Sequence, residues 1–162
     1  MSFNTIKITN HSDNFEEYVA DAAILPGTLL ELNTDNEVKV HATAGGNVGS
    51  KMFAIEDVFQ GKGIDEAYAA ADKVRVWFPA PGDIVLAILA DGQTVGEGDL
   101  LESNGSGYLQ AHAADEASVT ANVQTNVIVG VSLEEMDAVS DSSGQDVGGG
   151  LGVNKRIKVR IS

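Results

Sequence analysis

Three histidines, His11, His41 and His112, are the side chains best suited to move a proton or hold a metal near neutral pH. No two of them share a short ligand spacing such as the four-residue step of H-E-x-x-H. The chain has no cysteine, which removes disulfides, thiolate metal sites and cysteine nucleophiles. A serine nucleophile needs G-x-S-x-G between a strand and a helix. The nearest string, Asn104-Gly105-Ser106-Gly107, lacks that spacing and has the composition of a hairpin turn. Carboxylates are plentiful, as in Asp35-Asn36-Glu37, in 141–146 and at Glu134, Glu135 and Asp137, but no D-x-D-x-D-G loop closes on a glutamate. Such residues fit solvated turns, because Asp and Asn bond their own backbone there. A carboxylate pair for glycoside hydrolysis stays open. Sugar sites favour aromatic platforms, however, and Trp77 is the sole tryptophan. The glycine-rich 144–152 stretch and Gly96-Glu97-Gly98 lack the G-K-[ST] and helix of a phosphate cradle. The string A-D-G-Q-T-V-G-E-G-D-L-L is similar to the hairpin of biotinyl and lipoyl carrier domains, but no lysine stands where the cofactor would attach. The expectation is therefore no catalytic residue, no metal ligand set and no cofactor.

The elements around these residues read as β-structure. Short runs rich in Val, Ile and Leu alternate with Gly, Asp, Asn and Pro breaks, the pattern of a small barrel or sandwich. Strands are expected at 28–32, 37–41, 52–58, 74–78, 84–89, 99–103, 108–111, 126–134 and 156–161, roughly eight to ten in all. The first two should form a hairpin across Asn33-Thr34-Asp35-Asn36, and Gly130 should mark a bulge or a barrel corner. Residues 61–73 are the one place suited to a helical turn, with Asp65 as its cap, and a mobile loop is the alternative there. Residues 1–25 read as an N-terminal arm, polar and acidic after one short alternating run, and 26–162 as a single β-barrel domain. The stretch 141–152 has the composition of a loop.

Charge narrows the partners. The net charge is −14. Four of the ten basic residues fall in the last eight positions, which hold no acid, so six basic residues face all 24 acids in the first 154. The body thus carries −18 and the tail +4. Such a body repels a phosphate backbone and an anionic lipid surface, so neither nucleic acid nor membrane is an expected partner. No apolar run approaches the ~20 residues that span a bilayer, and the N-terminus lacks the pattern of a signal peptide. In the closing strand Arg156, Lys158 and Arg160 share one face and Ile157, Val159 and Ile161 the other. A strand of that kind at a terminus suits an edge in an oligomer, where its charge could meet an acidic neighbour.

The order P-G-T-L-L-E-L, M-F-A-I-E-D, V-R-V-W-F-P-A-P-G-D-I-V-L, V-G-E-G-D-L-L-E and V-I-V-G-V-S-L-E resembles the head decoration, or cement, proteins of tailed bacteriophages. The likeness covers roughly residues 24–135 and rests largely on β-turn devices. It implies a stabiliser on the outside of a capsid, made in the host cytoplasm and acting as a homotrimer that clamps neighbouring copies of the major capsid protein. It also implies that the arm supplies contacts to the shell, with Phe3, Ile6, Ile8, Phe15 and Tyr18 as anchors. Two other classes stay open. One is a carbohydrate- or ligand-binding barrel with a site near Trp77, Phe78 and Tyr108. The other is a small-barrel enzyme with convergent acids or histidines. Strand aromatics belong in cores more often than on platforms, so Trp77 is expected inside.

Overall fold

The structure, a computed structural model, describes residues 4–9, 11, 13–46, 48–113, 126–136, 145–146 and 155–162. Among them the chain forms twelve strands: β1 (Lys7–Thr9), β2 (Phe15–Val19), β3 (Leu29–Leu32), β4 (Val38–Val40), β5 (Met52–Ala54), β6 (Lys73–Trp77), β7 (Ile84–Leu89), β8 (Leu100–Ser103), β9 (Leu109–Ala111), β10 (Ile128–Ser132), β11 (Gln145–Asp146) and β12 (Lys155–Ile161). The described residues are mainly β, with a single 3₁₀ turn at Val58–Gln60.

Five strands close into a barrel in the order β7-β9-β8-β10-β12. Closure comes from the antiparallel pairing of β12 with β7, from Lys155↔Leu89 to Arg160↔Ile84. Strand β1 extends β7 and β11 extends β12. A second antiparallel sheet runs β2-β6-β5-β3-β4. It curls, and Ala20, just after β2, bridges Val38 of β4. The alternation of side chains across a strand gives this sheet two buried faces. Leu29, Phe53 and Trp77 point to the barrel and join its aliphatic core. Leu30, Met52, Ala54, Val74 and Val76 fill the inside of the curl, closed by Ala20, Ile24 and Tyr68. The Tyr68 hydroxyl donates to the Ile55 carbonyl at 2.7 Å, and burial pushes its pKa up to about 12.

The turns follow one device. A carboxylate accepts the N–H three residues back: Asp83 from Ala80 at 2.8 Å, Asp99 from Gly96 at 2.8 Å and Asp72 from Ala69 at 2.9 Å. Asn33 organises the β3–β4 hairpin, its side-chain oxygen accepting from Asp35 and Glu37, both at 2.9 Å. Gly27 sits where the sheets meet, at φ 92, and a Cβ there would lie 2.9 Å from the Leu86 carbonyl oxygen. The β10–β8 register shifts between Ile128 and Gly130, which fits the bulge of the two features expected at Gly130.

Several expectations change. The arm at 1–25 is built into both sheets over its described residues: β1 pairs with β7, β2 with β6, and Ile24 bridges Tyr68. The physical reason is that an alternating segment satisfies its backbone best by completing a neighbouring sheet. The helical turn at 61–73 does not form. Asp65 instead accepts from Arg156 at 2.6 Å, and Tyr68 is pulled into the curl. Of 141–152, only Gln145 and Asp146 lie within the described residues.

Candidate interaction surface

The 3₁₀ turn creates the most exposed aromatic among the described residues. Asp57 accepts from the Gln60 N–H at its start, and Gly61, at φ 71, ends it. Between them Phe59 is left 80 % exposed and Val58 58 %. Beside the turn, β6 presents Arg75 and β2 presents Phe15. The Arg75 guanidinium lies 4.7 Å from the Phe59 ring centroid and 5.1 Å from that of Phe15. It also donates to the Glu56 carbonyl oxygen at 3.4 Å. Phe15 is 44 % exposed and Val19, two pleats along the same face, 38 %. Lys7 caps the far end, 5.6 Å from Phe15 and 5.2 Å from Trp77, and pairs with Asp13 at 2.9 Å. Cation–π contacts hold the rings and cations in a fixed row. A row of exposed apolar groups at the end of a sheet is a feature of binding surfaces rather than of inert ones.

The residues expected to bind a partner are not brought together. Phe3 lies outside the described residues. Ile6 is sealed in the main core at 0 % exposure, so it cannot anchor a neighbouring protein. Ile8 packs half-buried against that core, and Tyr18 packs over the second one, donating to the Glu16 carboxylate. Phe15 alone of the group stands in the exposed row. The basic closing strand is not an edge: β12 lies between β7 on one side and β10 and β11 on the other. Arg156 is fully buried and Lys158 pairs with Glu134 at 2.9 Å, while Arg160 is exposed. Sequence alternation placed Arg156 outside because it could not show that a second sheet packs there. Val58, Phe59 and Arg75, which the structure places in this exposed row, are not among the residues expected from the sequence. Asp57 before and Gly61 after Val58-Phe59-Gln60 are the capping signal that could have taken Phe59 out of a strand.

The polar clusters are structural by geometry. Ser103, His41 and Glu31 form a chain, with Ser103 Oγ 2.7 Å from His41 Nδ1 and His41 Nε2 3.7 Å from Glu31. Both Ser103 and His41 are buried, and Ser103 Oγ also accepts from the Gly105 N–H at 3.2 Å. A nucleophile must meet substrate, and this hydroxyl faces its own turn. A groove of about 260 Å³ opens nearby, floored by Leu30, Met52 and Phe78, and its acid, Glu31, is already paired with Lys39 at 3.0 Å. Trp77 is fully buried, which removes the platform considered for sugar binding. No group of three or more His, Asp or Glu able to hold a metal occurs among the described residues.

Two buried carboxylates tie loops to the barrel. Glu102 accepts from His112 at 2.7 Å, Gln110 at 2.9 Å and Asn126 at 2.9 Å. Burial raises its pKa, but the bonds from His112, Gln110 and Asn126 outweigh burial and leave it below the ordinary 4.5. Asp83 behaves alike: burial raises it, and bonds from His11 and Ala80 bring it below 3.8. As pH falls, the unfolded chain therefore takes up these protons first, and stability declines. The expected melting temperature is level above about pH 5 and drops as pH falls through the ordinary values and then the lower folded ones. Glu102→Gln should flatten part of that slope. Equal acid slopes for the two proteins would refute the assignment.

No protein-family model matches the chain, and no curated protein matches its sequence.

Proposed function

We propose that this chain is a structural virion protein that decorates and stabilises the outside of a bacteriophage capsid. It acts as a homotrimer that clamps neighbouring subunits of the major capsid protein. The observation that carries this reading is the exposed Phe15–Arg75–Phe59 row, a rigid apolar and cationic surface on a strongly acidic β-body. Large aromatics and arginine are the residues that dominate protein interfaces. The likeness of residues 24–135 to decoration proteins supports the same reading, and the acidic body accords with a partner other than nucleic acid. Neither catalysis nor a cofactor is part of the proposal.

The test joins mass and binding. Light scattering across a dilution series should give a trimer, and the protein should co-sediment with expanded shells from a panel of tailed phages. Phe59→Asp should weaken that binding by about tenfold or more, as a central interface aromatic does, with the melting temperature unchanged. A monomer at every concentration that ignores all shells and is retained on a glycan array would replace this reading with the ligand-binding one.

A further inference from the structure

The β8–β9 hairpin turns through Asn104-Gly105, the single Asn-Gly step in the chain. Its hydrogen bonds meet three chemical needs together. The Asn104 side-chain oxygen accepts from the backbone N–H groups of Ser106 and Tyr108, at 2.8 and 3.1 Å. Two such donors polarise the carboxamide and stand where an oxyanion on Oδ1 would need them. The Gly105 N–H donates to Ser103 Oγ at 3.2 Å. That oxygen lies 2.7 Å from His41 Nδ1, and His41 Nε2 lies 3.7 Å from Glu31. With the ring hydrogen on Nε2, toward the carboxylate, Nδ1 accepts from the Ser103 hydroxyl and is the base at the end of the chain. Ser103 and His41 are both buried. The Ser103 hydroxyl thus meets no outside substrate, yet it touches the backbone nitrogen beside the Asn104 carboxamide.

We propose that Asn104-Gly105 is a self-modifying site, at which the folded chain closes a succinimide and opens it to aspartate or isoaspartate. The Gly105 nitrogen attacks Asn104 Cγ, and the new N–C bond closes the ring. Its proton passes to Ser103 Oγ as the Ser103 proton passes to His41 Nδ1. Oδ1 becomes the oxyanion, held by the N–H groups of Ser106 and Tyr108. The carbonyl re-forms as the Cγ–Nδ2 bond breaks. Nδ2 takes a proton from water and leaves as ammonia, and His41 gives its extra proton to the hydroxide left behind. One water then opens the imide, so the sum is asparagine plus water to aspartate or isoaspartate plus ammonia, with nothing oxidised or reduced. Nucleophile and electrophile are neighbours in the chain, so no entropy is lost in bringing them together. Glycine suits the position, because no side chain screens the attacking nitrogen and a Cβ would lie 2.8 Å from the Ala44 nitrogen. Water and ammonia can pass, since Asn104 is half-buried and Ser106 exposed. The same turn is a joint between the barrel and the second sheet: Gly107 accepts from the Leu29 N–H at 2.8 Å and donates to the His41 carbonyl at 3.0 Å. Isoaspartate adds a carbon to the main chain there, so the reaction acts as a clock that loosens this joint. This goes beyond the decoration reading and stands or falls without it.

The test incubates the full chain at neutral pH, folded and in guanidinium chloride, and follows ammonia release together with peptide mapping by mass spectrometry. The folded protein should convert Asn104 at least about tenfold faster than the unfolded chain, a modest share of what a positioned base and an oxyanion cradle supply. Asn33 is the internal control. Its side-chain oxygen has the same kind of cradle, from the Asp35 and Glu37 N–H groups at 2.9 Å each, but the β-branched Thr34 follows it. Asn33 should stay intact. His41→Asn keeps an acceptor near the place of Nδ1 but holds no proton, and should slow the folded reaction by about tenfold or more while the circular dichroism of the parent persists. Ser103→Ala should slow it likewise by removing the relay. If both variants unfold, the folded and unfolded parent still decide the matter. A folded rate equal to or below the unfolded rate would overturn the proposal, because the turn would then protect Asn104. So would conversion of Asn33 as fast as Asn104, or an undiminished rate in folded His41→Asn.

Discussion

Arg156→Ala is expected to destabilise the fold by about 3–5 kcal/mol, the range for breaking a buried charged hydrogen-bond set. Arg156 is 0 % exposed. Its guanidinium donates to the Pro26 carbonyl through Nε at 3.3 Å and Nη2 at 3.1 Å, to the Ile64 carbonyl through Nη2, and to Asp65 at 2.6 Å. Those acceptors lie on the segment that opens β3 and on the segment that covers the second sheet, whereas Arg156 itself stands on the barrel opposite Ile88. One planar fork thus joins the two halves of the fold. Removing it orphans two carbonyls, each costing about 1–3 kcal/mol when buried, and leaves a void. Arg156→Met fills the void without satisfying the carbonyls and should recover a minor part of the loss. Asp65→Asn should cost less than about 1 kcal/mol, because that carboxyl is 47 % exposed and water replaces the bond. Urea unfolding of the three variants measures this. If Arg156→Ala falls within about 1 kcal/mol of the parent protein, well below the buried-pair range, the bridging role is wrong.

Trp77→Ala is expected to cost about 3–5 kcal/mol, the usual loss for a large core aromatic. Trp77 pairs across β6 with Phe53 on one side and Phe15 on the other, and its ring sits wholly inside the joint between the second sheet and the barrel. No other aromatic but Phe53 stands in that cluster to refill the space, since the rest of it is aliphatic or methionine. Trp77→Phe should lose less than half as much. Phe59→Ala should stay within about 0.5 kcal/mol of the parent, as surface changes do, which separates the core aromatic from the exposed one. Thermal melts followed by far-ultraviolet circular dichroism suit the whole series, and the parent's single tryptophan should emit to the blue when folded and shift red on unfolding. Equal losses at Trp77 and Phe59 would contradict the partition of the two rings.

Both predictions separate what one-dimensional pattern can carry from what it cannot. Local chemistry was legible wherever it was self-contained. Ile84–Leu89 stands as a strand over its full expected span, because a continuous apolar run between turn signals needs no knowledge of its neighbours. The Asn33 hairpin, the G-E-G-D turn and the Gly130 bulge were readable for the same reason, since each is built by a few adjacent residues. Trp77 was expected inside and lies inside.

Long-range choices belong to the tertiary structure. Pairing of β12 with β7 closes the barrel and makes a terminal strand central, and nothing within Lys155–Ile161 states which strands flank it. Arg156 and Arg160 obey the same alternation, yet one is buried because Pro26, Ile64 and Asp65 arrive from elsewhere in the chain to satisfy it. The same is true of Ile6, which belongs to the core because β7 offers it an edge, and of Phe59, which is exposed because a 3₁₀ turn ends the run that follows β5. The sequence by itself determined the β class, the turns and the acidic surface, because these depend on neighbours a few residues apart. Only the tertiary structure decided which edges close and which rings stay outside, because those depend on contacts between segments whose separation along the chain carries no local signature.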